Sequence, residues 1–359
     1  RRDEPQEADP ARAETLICAI KWNGTFGSGE TSARFHFRRL SVQMSDKSPT
    51  NVRQLSYTPK GPEMTDTIAT LSDVSARYDA VFCDLWGCLH DGVKPFPAAV
   101  SALQAYRKAG GQVVLLTNAP RPNPSVIKQL DSLGVPRDAW DIVVTSGDAA
   151  QHAMLSGAVG TRVHHIGAPK DEPFFTDVAD DLASYAKSRP PITRVALKDA
   201  QGIVCTGLVD DMTETPDDYR AALLLGKTMG LPMLCANPDI IVDLGDKRIY
   251  CAGALAQAYE QMGGTALYFG KPHPPIYDLA RRRLGAISKA SEPQILAIGD
   301  GIATDIQGGM GEGIDTLFVT GGIAADQFGA DSDNPSKDLL DEWLEGQQLS
   351  PTFAIGKLR

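Results

Sequence analysis

Four polar residues stand directly after apolar runs of the sequence. They are Asp84 after "AVFC", Thr117 after "VVLL", Lys271 after "LYFG" and Asp300 after "ILAIG", with Asp305 following inside "GDGIATD". Taken singly, each reads as a turn former or helix cap, because polar side chains often close strands in that way. Thr304 and Asp305 suit the first turn of a helix, and Lys271 suits a solvated lysine ahead of "PHPP". Taken together, they are three carboxylates, a hydroxyl and an ammonium that would converge on one edge of one sheet. Clustered carboxylates raise one another's pKa and stay ionised only beside a cation. A hard divalent ion such as Mg²⁺ takes oxygen ligands and suits that place. Lys271 would add a further positive charge, and a dianionic phosphate would complete the site.

That convergence depends on the elements that carry the residues. From about residue 78 the chain alternates regularly. "AVFCDLW" is a continuous apolar run, the pattern of a strand buried on both faces. Helical spacing follows in "AAVSALQAYRKAG", closed by Gly110 and Gly111. "QVVLLTN" is a second strand, "PSVIKQLDSLG" a helix, "DIVVTSG" a third strand and "GDAAQHAMLSG" a helix. This order predicts an α/β fold with a parallel sheet. In such sheets ligands bind beyond the carboxyl ends of the strands. A second block over residues 159–245 has its own strands, "RVHHIG", "GIVCTGL" and "PMLCAN", and the helix "PDDYRAALLLGKTMG". The first pattern then resumes with helix "AGALAQAYEQMGG", strand "ALYFG", helix "PPIYDLARRRLGA", strand "QILAIGD", helix "TDIQGGMGEG" and strand "DTLFVTG". The expected organisation is a core of residues 64–158 and 246–359 interrupted by an inserted α/β domain, 159–245.

Residues 1–63 mix charges, Ser, Gly and Pro with no sustained period, and the chain opens with Arg. They are expected to be disordered, or an extension outside the natural protein, with Met44 and Met64 as candidate starts. The rival expectation is a small module built on Trp22, Phe26, Phe35 and Phe37.

The bulk composition narrows the function classes. A length of 359 residues with 42% apolar content allows two compact units with sizeable cores. A net charge of −10 argues against nucleic acid or an anionic membrane as the main partner. It leaves phosphorylated small molecules open, because one local cation outweighs a distant acidic surface. The six cysteines form no CxxC pair, so they read as buried thiols of a reducing, cytoplasmic compartment rather than a zinc site. No run of 18 apolar residues suggests a membrane span, and "LICAI" is too short for a signal-peptide core. No G-x-G-x-x-G follows a strand and opens a helix, which sets aside a dinucleotide-binding oxidoreductase.

The order D…(S/T)…K…GDxxxTD resembles the haloacid dehalogenase (HAD) superfamily of aspartate-nucleophile hydrolases. "DLWGCLHDG", "LLTNAPRP", "FGKPHPPIY" and "AIGDGIATDI" are similar to its first to fourth motifs. "CANPD", "CAGALAQAYEQMGG" and "GKP" are similar to class IIA, which holds NagD-like nucleotide phosphatases, 4-nitrophenylphosphatases and phosphoglycolate or pyridoxal phosphatases. The resemblance covers roughly residues 75–325. It implies a Rossmann-like core with an inserted α/β cap of the C2a type, Mg²⁺ as cofactor and a small phosphorylated metabolite as substrate. Homo-oligomer formation is left open. By the resemblance, Asp84 attacks phosphorus in line, forms an aspartyl-phosphate and also binds the metal. The backbone carbonyl of Trp86 and the carboxylate of Asp300 are further ligands, and Asp305 acts through water or by supporting them. Thr117 and the Asn118 N–H hold phosphoryl oxygens, and Lys271 offsets charge in the transition state. The cap excludes water and selects the substrate.

Trp86 departs from this pattern. Phosphatases of the family carry an aspartate there, which protonates the leaving oxygen and then helps water attack the aspartyl-phosphate. Indole N–H does not titrate, and general acid catalysis is worth about 10²–10⁴ in rate. An alkoxide therefore leaves with difficulty, while a phenol-like group of pKa about 10, an acyl phosphate or an enol phosphate remains feasible. The haloacid dehalogenases of the family carry tyrosine at this position but lack the metal-type fourth motif, and the phosphonatases carry a small residue. The expectation is a metal-dependent phosphoryl-transfer site with its usual acid missing. Either another group supplies the proton (His90, Asp91, or Asp210 or Asp211 from the cap), or the substrate needs none, or the protein is a weakly active phosphometabolite binder. His90 and Asp91 also read simply as loop polarity. A metal-independent dehalogenase-like hydrolase is the other alternative.

Overall fold

The structure, a computed structural model, describes residues 65–244 and 247–359. The expectations for residues 1–63 lie outside the described residues. The strands are β1 (Asp66–Thr67), β2 (Ala80–Cys83), β3 (Gln112–Thr117), β4 (Ile142–Thr145), β5 (Arg162–Ile166), β6 (Thr193–Arg194), β7 (Gly202–Cys205), β8 (Pro232–Cys235), β9 (Ile241–Leu244), β10 (Lys247–Tyr250), β11 (Thr265–Tyr268), β12 (Ile295–Gly299), β13 (Asp315–Val319) and β14 (Phe353–Ile355). Seven of them form a parallel sheet in the order β1-β14-β13-β12-β2-β3-β4. The apolar runs are continuous because both faces of this sheet are covered. Val81, Cys83, Val113, Leu115, Leu296 and Ile298 face one core, shared with helices Pro97–Lys108 and Asn123–Leu133. Their alternates Phe82, Val114, Leu116 and Ala297 face the other, shared with helix Pro274–Gly285. Each fully buried aliphatic or Phe side chain contributes about 1.5–3 kcal/mol.

Strand register brings the strand ends together. Cys83 is paired with Ile298 on one side and Leu115 on the other. Asp84, Thr117 and Asp300 therefore all emerge at the same carboxyl edge, on three adjacent strands.

The second sheet is parallel too, in the order β11-β8-β7-β5-β6. Its membership corrects the expected resumption of the core after residue 246. Strand β11 pairs with β8, with Thr265 opposite Pro232. Helix Ala252–Gln261 buries Ala252, Leu255, Ala256 and Tyr259 against Ile203, Leu223 and Met233 of the second unit. A short apolar run has the same pattern whichever sheet it joins, so periodicity alone does not assign it. The first sheet resumes only with helix Pro274–Gly285 and β12. Between β8 and that helix, β9 and β10 form an antiparallel hairpin. At the C-terminal end, helix Lys337–Gln347 and β14 extend the first sheet beyond the expected elements.

Helix Ser146–Leu155 serves both sheets. Its Ala149 packs into the core of the first, and Ala150 and Met154 pack beside Val163, Val204 and Leu234 of the second. Arg283, from helix Pro274–Gly285, pairs with Asp148 on that shared helix and with Asp181 of the inserted block (Nη2–Oδ1 2.7 Å). Among the described residues no helix is long and apolar enough to cross a membrane.

Candidate active site

Asp84 is fixed by its backbone, whose N–H donates to the Ile298 carbonyl at 2.8 Å. The Lys271 Nζ lies 2.7 Å from Asp84 Oδ1 and 2.7 Å from Asp305 Oδ1, and donates to the Leu116 carbonyl at 3.0 Å. Lys271 does not end a strand of this sheet, contrary to the expectation, because the preceding strand is β11. It is seated instead by Asn118, which accepts the Lys271 N–H at 2.7 Å through Oδ1 and donates to the Lys271 carbonyl at 3.0 Å through Nδ2. Thr117 is buried beside Asn118, and its Oγ1 accepts the Ala119 N–H at 3.3 Å.

The carboxylates are electrostatically loaded. Burial pushes Asp84 up against the opposing pull of Lys271. Burial would lower Lys271, but Asp305 and Asp84 outweigh it and hold the ammonium well above its ordinary value. Asp305 is pushed up to about 6, by burial first, with Lys271 opposing and Asp84 adding. Asp300 is raised well above the carboxylate range by burial and then by Asp84 and Asp305. The Ile323 N–H donates to its Oδ2 at 2.8 Å, and Lys271 also opposes the rise. The ammonium is already shared between the other two carboxylates.

This arrangement tests the fit of a divalent ion. Ligand atoms of Asp84, Cys88 and Asp300 lie within 4.8 Å of one another. Burial raises the Cys88 thiol far above its usual range, so it stays protonated and is a poor donor to a hard cation. The remaining donors are two carboxylates, and among the described residues no N–H donates to the nearby Trp86 carbonyl. A buried carboxylate without its own cation is costly, and a divalent ion between Asp84 and Asp300 relieves that cost. The residues fit Mg²⁺. Glycine makes room for Asp300: a Cβ at Gly87 (φ +71°) or at Gly322 would stand 2.0 or 2.1 Å from Asp300 Oδ2.

Asp305 is outside that trio. It sits on a single wide helical turn, Ile302–Ile306, where the Gly301 carbonyl accepts N–H groups from Thr304, Asp305 and Ile306. Its Oδ2 accepts the Gly301 N–H at 3.2 Å while Oδ1 holds Lys271.

Two cavities of about 260 Å³ each open from the site, sharing Asp84, Trp86, Asp239 and Val242. The inner one also reaches Lys271, Asp300 and Asp305. The outer chamber runs between Thr117 and Asn118 and the second sheet. Trp86 borders both. Its indole meets His90 edge-on (centroids 5.4 Å apart, 70°). The ring lies so close to Gly92 (φ +86°) that a Cβ there would be 2.4 Å from it.

The residues named as possible proton donors fare differently. His90 is buried, its Nδ1 accepts the Gly92 N–H at 3.0 Å, and burial lowers it to about 4, so it is a neutral loop anchor bordering neither cavity. Asp91 borders the inner cavity, but its Oδ1 accepts N–H groups of Val93 and Lys94 at 2.9 and 2.8 Å, the role of a turn residue. Asp210 is exposed and caps its own loop through Met212 and Thr213. Asp211 borders the outer chamber, paired with Lys170. Asp239, which the sequence reading passed over inside "CANPD", borders both cavities. It accepts from Asn118 Nδ2 at 2.8 Å, and burial raises it. Its position just past the carboxyl end of β8 was the available signal.

Comparison with known proteins is consistent with this geometry. A haloacid dehalogenase-like hydrolase family model matches residues 81–179, and a HAD-hydrolase-like model matches residues 268–343. A solved hydrolase of the haloacid dehalogenase-like family from Brucella suis 1330 is 39% identical, with a TM-score of 0.69 over 81% of this chain and 100% of that one. Ribonucleotide monophosphatase NagD of Escherichia coli (strain K12) is 26% identical over 68% of this chain and 88% of its own length. Glycerol phosphate phosphatase Rv1692 from Mycobacterium tuberculosis, solved in complex with magnesium, is 25% identical, with a TM-score of 0.53 over 72% of this chain and 73% of that one.

Proposed function

Since the chain belongs to the haloacid dehalogenase-like hydrolase family, we propose that it is a Mg²⁺-dependent phosphatase of small phosphorylated metabolites that works through an aspartyl-phosphate on Asp84. The observation that carries this reading is the Lys271 ammonium, 2.7 Å from both Asp84 and Asp305, beside the buried Asp300. The activities in the names of the E. coli and M. tuberculosis relatives, on ribonucleotides and glycerol phosphate, support the substrate class.

Asp84 and Asp300 would hold the metal, and the Trp86 carbonyl would offer a further oxygen. The ion, when bound, neutralises phosphoryl charge beside the nucleophile. Asp84 attacks phosphorus in line. Lys271 orients its carboxylate and offsets charge that builds on the phosphoryl oxygens. Thr117 and the backbone at Asn118 take those oxygens on the outer side. Asp305 keeps Lys271 in place. No titratable side chain stands at Trp86, so the leaving oxygen departs without the proton that the family pattern supplies there. Substrates whose leaving group is a weak base are favoured accordingly. A metal-independent dehalogenase reading would leave Asp300 buried and unpaired, which argues against it.

The test compares hydrolysis of 4-nitrophenyl phosphate and glycerol phosphate with Mg²⁺ and with chelator. The expected result is chelator-sensitive activity with the aryl ester favoured by about 10² or more, the scale of a lost general acid. Activity that persists in chelator would overturn the metal-dependent reading, and equal rates would overturn the missing acid.

A further inference from the structure

The outer chamber has a second polar wall that the phosphoryl chemistry does not use. Asp171 and Thr206, from the loops after β5 and β7, are each only 2% exposed, yet both border the chamber. Thr206 Oγ1 donates to Asp171 Oδ2 at 2.9 Å, and His165 Nε2 lies 2.9 Å from the same Oγ1. A hydroxyl has one proton, and here it goes to Asp171, so His165 is the donor to Thr206. Burial, with Arg194 adding, lowers His165 to about 4, so the ring is neutral and carries its proton on Nε2. The chain His165–Thr206–Asp171 thus points its acceptor end at the chamber.

Burial raises Asp171, opposed by Thr206, Lys170, Arg121 and the Ala168 backbone. A carboxylate has about four lone-pair sites, and the protein side chain that donates to it, among the described residues, is Thr206. The adjacent Lys170 is paired with Asp211 instead. The neighbouring residue on the chamber wall is Gly207. Across the chamber stands Arg121, which spends one N–H on Gln129 Oε1 at 2.8 Å and has four more.

A ligand lying between these walls meets an anionic acceptor on one side and a cationic donor on the other. A hydroxyl satisfies either, because it both donates and accepts. An apolar group would leave the remaining lone pairs of Asp171 without a donor, which costs about 1–3 kcal/mol. We propose that Asp171, held by Thr206 and His165, is the specificity-determining group of a subsite for a hydroxyl on the leaving group. The proposal rests on the phosphatase reading for its choice of substrate.

The test uses aryl phosphates, whose departure does not depend on an acid. The 3- and 4-(hydroxymethyl)phenyl phosphates are compared with the matching ethylphenyl phosphates, with Mg²⁺, in wild type and Asp171→Asn. At least one hydroxylated ester is expected to exceed its ethyl partner in kcat/KM by about tenfold or more, the equivalent of one buried donor–acceptor match. Asp171→Asn is expected to erase that ratio. Ratios near one in wild type overturn the subsite without any variant having to fold. A preference that survives in Asp171→Asn overturns it as well. If no aryl phosphate is turned over, the phosphatase reading fails, and calorimetry of the phosphate-free 3- and 4-(hydroxymethyl)phenols then decides the subsite. Weaker binding to Asp171→Asn supports it, and unchanged or undetectable binding to both proteins overturns it.

Discussion

Trp86→Asp returns a titratable group to the mouth of the metal cavity, and its effect follows from the surroundings. The carboxyl would border both cavities, as the indole does. It would enter beside Asp84 and Asp300, with the nearest ammonium already shared between Asp84 and Asp305. Like charge and partial burial would raise its pKa, which suits a proton donor near neutral pH. General acid catalysis contributes about 10²–10⁴, or about 3–5 kcal/mol of barrier. The opposing term is lost packing against His90 and Gly92. Truncating a fully buried Trp costs about 3–5 kcal/mol, and this one is half-buried, so about 2 kcal/mol is at stake. A domain with about 5–15 kcal/mol of stability tolerates that. The assay is phosphate release from glycerol phosphate and from 4-nitrophenyl phosphate, per mole of folded enzyme, with folding checked by thermal melting. The alkyl-to-aryl ratio is expected to rise by about 10². An unchanged ratio in a folded variant would refute the reasoning from the indole.

Asp84→Asn should abolish turnover, and rapidly quenched wild type should carry a phosphate adduct on Asp84 by mass spectrometry. Variant activity near wild type would remove this residue from the mechanism. Magnesium should raise the melting temperature of the wild type by linkage, whereas Asp300→Asn should lose most of that increase, measured across a Mg²⁺ titration. The metal-free protein should lose stability as pH rises from about 4, the unfolded carboxylate value, through about 6, where Asp305 titrates. The sign follows because a raised folded-state pKa makes the native state bind more protons than the unfolded one. Mg²⁺ affinity should strengthen over the same interval as those protons are displaced. Melting curves from pH 4 to 7 with chelator or with Mg²⁺ check both, and chelated stability that climbs through this range would contradict the site electrostatics.

Asp84, Thr117 and Asp300 were readable because each follows an apolar run of a strand buried on both faces, and those strands turned out to be neighbours. Lys271 was readable as a motif but for an incomplete reason. Its strand serves the other sheet, and Asn118 brings the lysine across. Nothing local distinguishes β11 from a core strand, since both sheets are parallel and apolar. Asp171 lies in "APKDEPFF", which reads as an ordinary charged loop. Its burial depends on Thr206, distant in sequence, and only the folded chain reveals it. His90 and Asp91 looked like interchangeable candidates, and their hydrogen-bond partners separate an inert ring from a turn-forming carboxylate.

The helix Ser146–Leu155 has a mechanical consequence. It is glued to both units, and Arg283 clips it to the inserted block on the same flank. Cutting the insert free would therefore strip this helix of its Val163, Val204 and Leu234 partners and of the Arg283–Asp181 clip, so the insert and the first sheet share one core along that flank.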